Sequence, residues 1–157
     1  MRKHIIGQGP SEVSAAEAGW IDLERLAQVE ITSEEIDYPI ESALIPGTGS
    51  GWRAAQPGEQ TIRLRFDQPL RLQRLRLVFH EDEQERTQEF VLRWSPDGGQ
   101  SYREIVRQQY NFSPPGDAHE SEDYDVDLDG VTVLELRIVP DISRGSARAS
   151  LAQLSLA

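Results

Sequence analysis

Thr61-Ile62-Arg63-Leu64-Arg65-Phe66 alternates without a break, with Ile62, Leu64 and Phe66 on one face and Thr61, Arg63 and Arg65 on the other. Side chains of an extended chain point alternately to opposite faces, so this spacing predicts an antiparallel strand with one face on a core and one in water. The same period returns downstream. In Leu70 to His80 the apolar set changes parity between Leu72 and Leu75, which predicts a bulge or a broken strand, after which Leu75, Leu77 and Phe79 turn inward. Arg86 to Trp94 sets Phe90, Leu92 and Trp94 against Glu89, Val91 and Arg93, and Ser95-Pro96-Asp97-Gly98-Gly99-Gln100 reads as a turn into a hairpin partner at Tyr102 to Tyr110. Asp123 to Leu128 puts Tyr124, Val126 and Leu128 on one face, Asp129-Gly130 reads as a turn, Val131 to Val139 alternates through Leu134, Leu136 and Ile138, and Ser150 to Leu156 closes the chain.

Upstream, Val29 to Thr32 begins the alternation, and Trp20, Leu23 and Leu26 at helical spacing predict a short helix with Asp22 and Glu24 in its first turn. Residues 1–19 are polar and rich in small residues, and read as an N-terminal arm before a single domain at 20–157. Eight short strands separated by turns, with almost no helix, predict an all-β fold: an antiparallel β-sandwich or jelly roll.

The 157 residues carry 27 acidic against 16 basic side chains, a formal charge of -11, and no cysteine. Without cysteine there is no disulfide framework, no thiolate metal site and no cysteine nucleophile. The negative charge repels phosphate backbones and anionic headgroups, so neither nucleic acid nor a membrane is an expected partner. Only Ile5 and Ile6 follow Arg2-Lys3 as an apolar run, too short for a secretory signal, so a cytoplasmic location is expected.

Three stretches resemble the discoidin, or coagulation-factor 5/8 type C, family. They are Gly51-Trp52-Arg53-Ala54-Ala55 followed by Gln60 to Phe66 and Pro69 to Leu77, then Phe90 to Tyr102 with its Ser95-x-Asp97-Gly98 turn, then Ala149 to Leu154. The resemblance spans roughly 28–157 and implies a galactose-binding-like jelly roll, similar to many carbohydrate-binding modules, and a non-catalytic binder of sugars, lipid headgroups or proteins. Ile45 to Gly51 lacks the aspartate-glycine pair that precedes the tryptophan in sugar-binding members and supports a calcium ion there. The terminal cysteine pair of extracellular members is absent as well.

Antiparallel strands connect at alternating ends of a sandwich. That parity puts residues 34–59, 81–87, 110–121 and 140–148 at one end and the short turns at Asp67, Asp97 and Asp129 at the other. Binding residues concentrate on loops carried by a rigid scaffold, which makes Arg86, Tyr110, Asn111, Phe112 and Arg144, with His119 nearby, the candidate ligand-binding set at the long-loop end. Aromatic rings to stack on a sugar, beside arginine and amide donors for its hydroxyls, are the chemistry such a ligand needs. Tyr110 and Phe112 also have a structural reading, as plugs of the sandwich end, and Arg86 and Arg144 as partners of Glu81-Asp82-Glu83 and Asp141. Trp52 and Trp94 read as core.

Asp125-Val126-Asp127-Leu128-Asp129-Gly130 matches the first half of an EF-hand loop, but the twelfth position is Leu136 where a bidentate glutamate is required. Pro46 to Gly51 is glycine-rich without the lysine of a phosphate loop, and Glu81 to Arg86 reads as a solvated charge run. No nucleophile–base motif is present, so no enzyme and no cofactor are expected. The expected partner is a carbohydrate, or alternatively a protein.

Overall fold

The computed structural model describes residues 19–47 and 50–157, so the arm at 1–19 lies, save Gly19, outside the described residues. The strand opened by Thr61-Ile62 continues as β3, Gln60–His80, through the predicted turn at Asp67. It pairs along its whole length with β6, His119–Val139, from Gln60↔Ile138 to His80↔His119. Register shifts between Arg65 and Arg74 mark the bend of this ribbon, as the parity change at Leu72–Leu75 predicts, and Gly130 (φ 71°) takes the left-handed backbone opposite it. The predicted turns at Asp67 and Asp129 are therefore bends within continuous strands.

That ribbon carries one six-stranded sheet, whose two halves on either side of the bend form the layers of the sandwich. Its Gln60 half is flanked by β1, Ala27–Ile31, and by β4, Arg86–Ser95, which pairs in turn with β5, Arg103–Phe112. Its His80 half carries β8, Gln153–Leu156. Phe79 and Phe90 meet across the sandwich at 5.2 Å between ring centres. A separate pair joins β2, Trp52–Pro57, to β7, Arg148–Leu151. The last predicted strand is thus split: Ala152 donates its N–H to Val78 O at 2.8 Å, and the chain changes partner there from β2 to β3.

The all-β jelly-roll sandwich is as expected, about 62% strand and 6% helix among the described residues. The helical turn is shorter than the spacing predicts: α1 runs Leu23–Leu26 only, because Asp22 is in extended backbone (φ −79°, ψ 91°) and Ile21 before it pairs its N–H with Leu156 O at 2.7 Å. Trp20 lies outside it, with the Arg74 and Arg76 guanidinium groups over its ring at 4.8 and 5.2 Å. A second turn, α2, spans Glu41–Leu44. The core is built by Ile62, Leu64, Leu75, Leu77, Phe79, Phe90, Leu92, Leu136 and Ile138 from the two halves of this sheet, closed by Trp52 and Trp94. On the outer face of the Gln60 half Glu135 is buried among Arg63 (2.9 Å), Arg93 (2.5 Å) and Arg137 (3.3 Å). Burial pushes the Glu135 carboxyl up, but the guanidinium groups of Arg93 and Arg63 outweigh it and hold the group below its ordinary range.

Candidate functional site

Both ends of β3 reach the same end of the molecule, and the four long connections meet there. Glu81 N–H donates to Ala118 O at 2.8 Å, Ile142 N–H to Thr87 O at 2.9 Å, and Gly58 N–H to Ala147 O at 3.4 Å. Ser113 Oγ donates to Glu85 Oε1 at 3.2 Å. The loop 81–85 runs through the middle and divides this end into two depressions.

The sequence-derived residues sit on one side of that loop. Arg86, Asn111 and Phe112 come together, but Arg86 and Phe112 are buried, 4% and 2% exposed. Arg86 donates Nε to Glu81 Oε1 at 2.6 Å, Nη1 to Pro140 O at 2.7 Å and Nη1 to Gln88 Oε1 at 3.2 Å, while its guanidinium lies over Phe112 at 4.6 Å. Tyr110 is half-buried and meets Phe112 edge-on at 4.9 Å. Of the residues expected to meet a ligand, Arg86 and Phe112 thus lie behind the surface, with Arg86 Nε and Nη1 and the facing side of the Phe112 ring engaged inside the protein. Asn111 is exposed and accepts from Thr87 Oγ1 at 2.7 Å. Arg144 is exposed on the neighbouring loop in left-handed backbone, φ 64°, its N–H on Asp141 O at 3.0 Å. Neither it nor Tyr110 joins Arg86, Asn111 and Phe112 in lining the depression there. His119 stacks on His80 with ring centres 4.4 Å apart.

Beneath these residues the sandwich carries a polar chain, buried at Gln88 and Glu120 and half-buried at Gln108, Glu122 and Tyr124. Gln88 Nε2 donates to Glu120 Oε1 at 3.3 Å, Gln108 Nε2 to Glu122, and Tyr124 OH to Gln108. Arg86 Nη2 and Glu120 Oε2 have no hydrogen-bond partner. Burial, then the adjacent Glu122 carboxyl, push Glu120 up to about 8. On the other side of Arg86, burial raises Glu81, but the Arg86 guanidinium and the Glu83 and Gln84 N–H groups prevail and hold it below its ordinary value.

The second depression, about 380 Å³, lies across the 81–85 loop between residues 35–38, 50–53, 80–84 and 146–152. Buried Trp52 contributes to its lining, its Nε1 donating to Ser33 O at 3.0 Å. Gly51 (φ 95°) allows the close crossing there, since a Cβ would stand 2.6 Å from Leu151 O. Arg53 lies over the Tyr38 ring at 4.5 Å, Arg148 pairs with Glu35 at 2.5 Å, and His80 Nε2 is 3.7 Å from Asp82. Planar donors, carboxylate acceptors, an imidazole and an aromatic ring thus converge on one concave surface, none of them nine-tenths buried. Loop parity brings residues 34–59 to this end, but Glu35, Tyr38, Arg53 and Arg148 went unrecognised in the sequence. Only the Trp52-Arg53 pair carried a signal.

The described residues hold no cluster of three or more metal-ligating side chains. On β6 the EF-hand-like aspartates Asp125, Asp127 and Asp129 alternate outward and are exposed, Asp127 pairing with Arg71 at 2.8 Å. The stretch Ile45 to Gly51 includes residues 48 and 49, outside the described residues.

No protein-family model and no curated protein matches the chain. Solved structures do. The family 32 carbohydrate-binding module of Clostridium perfringens NanJ, in complex with galactose, superposes with a TM-score of 0.63 at 13% identity, over 87% of this chain and 96% of that one. The chain has the discoidin-like galactose-binding fold. A second module of this fold, CpGH89CBM32-5 from Clostridium perfringens in complex with GalNAc-β-1,3-galactose, gives 0.64 at 16% identity over 87% and 98% of the two chains. A pectin-binding carbohydrate-binding module gives 0.61 at 13% over 84% and 90%.

Proposed function

We propose that this discoidin-like domain is a non-catalytic carbohydrate-binding module, its sugar seated in the depression between Tyr38, Arg53, His80 and Arg148. The observation that carries the reading is the convergence there, from four separate segments, of a guanidinium stacked on a ring, a Glu35–Arg148 pair and the His80 imidazole around a cup of about 380 Å³. A sugar ring presents an apolar face and a rim of hydroxyls. A flat ring–guanidinium wall suits the first, and fixed charged donors and acceptors suit the second. The similar modules named with galactose, GalNAc-β-1,3-galactose and pectin support a carbohydrate partner.

A glycan-array screen of the full chain, with calcium and again with chelator, tests it. The expected result is a reproducible glycan response that Tyr38→Ala and Arg53→Ala abolish without changing the unfolding midpoint, while the chelator arm reads any calcium requirement. A blank array from folded protein overturns the reading and turns attention to a protein partner.

A further inference from the structure

We infer that the smaller depression across the 81–85 loop is a second sugar subsite, so that the module takes an extended oligosaccharide rather than a single ring; this rests on the carbohydrate reading above. The depression, about 280 Å³, is lined by Glu85, Thr87, Asn111, Ser113, Asp141 and Ser143, with Arg86 and Phe112 behind them.

Its side chains are already ordered in pairs. Thr87 donates to Asn111 at 2.7 Å, Ser113 to Glu85 at 3.2 Å, and Ser143 Oγ to Asp141 at 2.6 Å. The Ser143 hydroxyl and N–H hold the Asp141 carboxyl below its ordinary range, so it stays an acceptor at neutral pH. Hydroxyl, amide and carboxylate groups fixed in place are what sugar hydroxyls exchange for water at little entropic cost.

Continuity carries the argument further. Glu81 to Gln84 line the larger depression and Glu85 to Thr87 the smaller, so one pass of backbone separates them. That dividing rib is rigid, since Glu81, on the side of the larger cup, is bonded at 2.6 Å to Arg86, behind the smaller one. No aromatic face is exposed in the smaller depression, Phe112 being buried. It therefore adds hydrogen bonds to a chain already anchored at Tyr38, and holds no ring alone.

Calorimetric titration of the full chain with galactose and with β-1,4-galactotetraose, and with N-acetylglucosamine and chitotetraose, tests the inference. One tetraose is expected to bind at least about tenfold tighter than its own monosaccharide, a difference of roughly 1.4 kcal/mol. Asn111→Ala and, independently, Thr87→Val combined with Ser143→Ala are expected to bring the tetraose down to the monosaccharide affinity, leaving the monosaccharide unchanged. Equal affinity for one ring and four, or a chain-length difference that survives both variants, overturns the second subsite while leaving the first standing. Failure of all four probes together with a blank array removes the carbohydrate reading and the subsite with it.

Discussion

The two ends of this sandwich are held by different kinds of contact. At the short-turn end the turn closes on its own residues, Ser95 Oγ donating to Asp97 at 2.7 Å and accepting from Gly99 N–H at 2.9 Å, and Ser101 Oγ donating to Asp97 at 2.6 Å, while Arg65 and Thr132 tie it to the neighbouring strands through Gly98 and Ser95 O. At the long-loop end the bonds span the chain. Arg86 reaches Pro140 across 54 positions, and Arg148 reaches Glu35 across 113. A local turn forms from what its own few residues dictate, and damage to it stays put. A convergent end exists only once the whole sandwich is assembled, so it is where a cup can be built from distant side chains, and where one lost bond is felt by several loops.

Arg86→Met breaks this contrast most severely. It leaves Glu81 partly buried without its guanidinium and Pro140 O without its donor, and losing one partner of such a pair costs about 3–5 kcal/mol. Urea unfolding should show that loss, and a variant as stable as the wild type would mean that the long-loop end does not depend on this residue. Gly51→Ala comes next. Its Cβ would stand 2.6 Å from Leu151 O in a left-handed backbone, for a cost of roughly 1–3 kcal/mol, again read by urea unfolding.

The buried Glu120 sharpens the contrast through pH. Its folded value, about 8, lies above the ordinary 4.5, so folding takes up a proton between those values. Stability is full at the acid end of that window, falls as pH rises from about 4.5 to about 8, and is flat beyond. Arg86 faces Glu120 from β4, Tyr110 from β5, and Glu122 and Tyr124 from β6. Burial raises both tyrosines, so neither takes part in this window. Glu120→Gln keeps a neutral group beside Gln88 and Glu122 and should flatten the slope, measured as the unfolding midpoint against pH. An unchanged slope assigns the titration elsewhere.

Asp97→Asn is the smallest expected change. Hydrogen bonds from Ser101 and Ser95 hold its carboxyl down to about 2, so its contribution is present above the ordinary aspartate value and is lost as pH falls through about 2. The exposed site keeps the effect local: faster amide exchange at Gly99 and Ser101, with the Arg86 end untouched.

This division also explains what could be read from the sequence. The strands and the Ser95–Gln100 turn follow from alternation and from glycines at positive φ, Gly98 at 75° and Gly99 at 96°, all short-range information. Parity then placed the four long connections correctly at one end. The merging of β3 and β6 into 21-residue strands stayed hidden, because Asp67-Gln68-Pro69 and Asp129-Gly130 carry the same residues whether a chain reverses or only bends. Arg86 and Phe112 carried the residue types of a sugar site, but burial is a property of what lies opposite, and nothing near them in sequence announces Pro140 or Glu81. Tyr38 and Arg53 meet through backbone bonds, Glu35 N–H to Arg53 O and Arg53 N–H to Tyr38 O, and Arg148 joins them through the β2–β7 pairing, whose Trp52↔Leu151 contact spans most of the domain.

The long β3–β6 ribbon has a consequence for how the molecule assembles. Its partners are 39 positions apart at His80↔His119 and 78 apart at Gln60↔Ile138, by subtraction of their numbers. Closing the nearer pair and zipping toward the bend adds little loop entropy at each step. The first closure waits on a hairpin, β4 with β5, that lies wholly inside the loop being closed. A topology so dominated by remote pairings belongs among the slow folders, on the millisecond-to-second scale. Because one ribbon threads both layers, pairing begun in the His80 half is carried through the bend into the other.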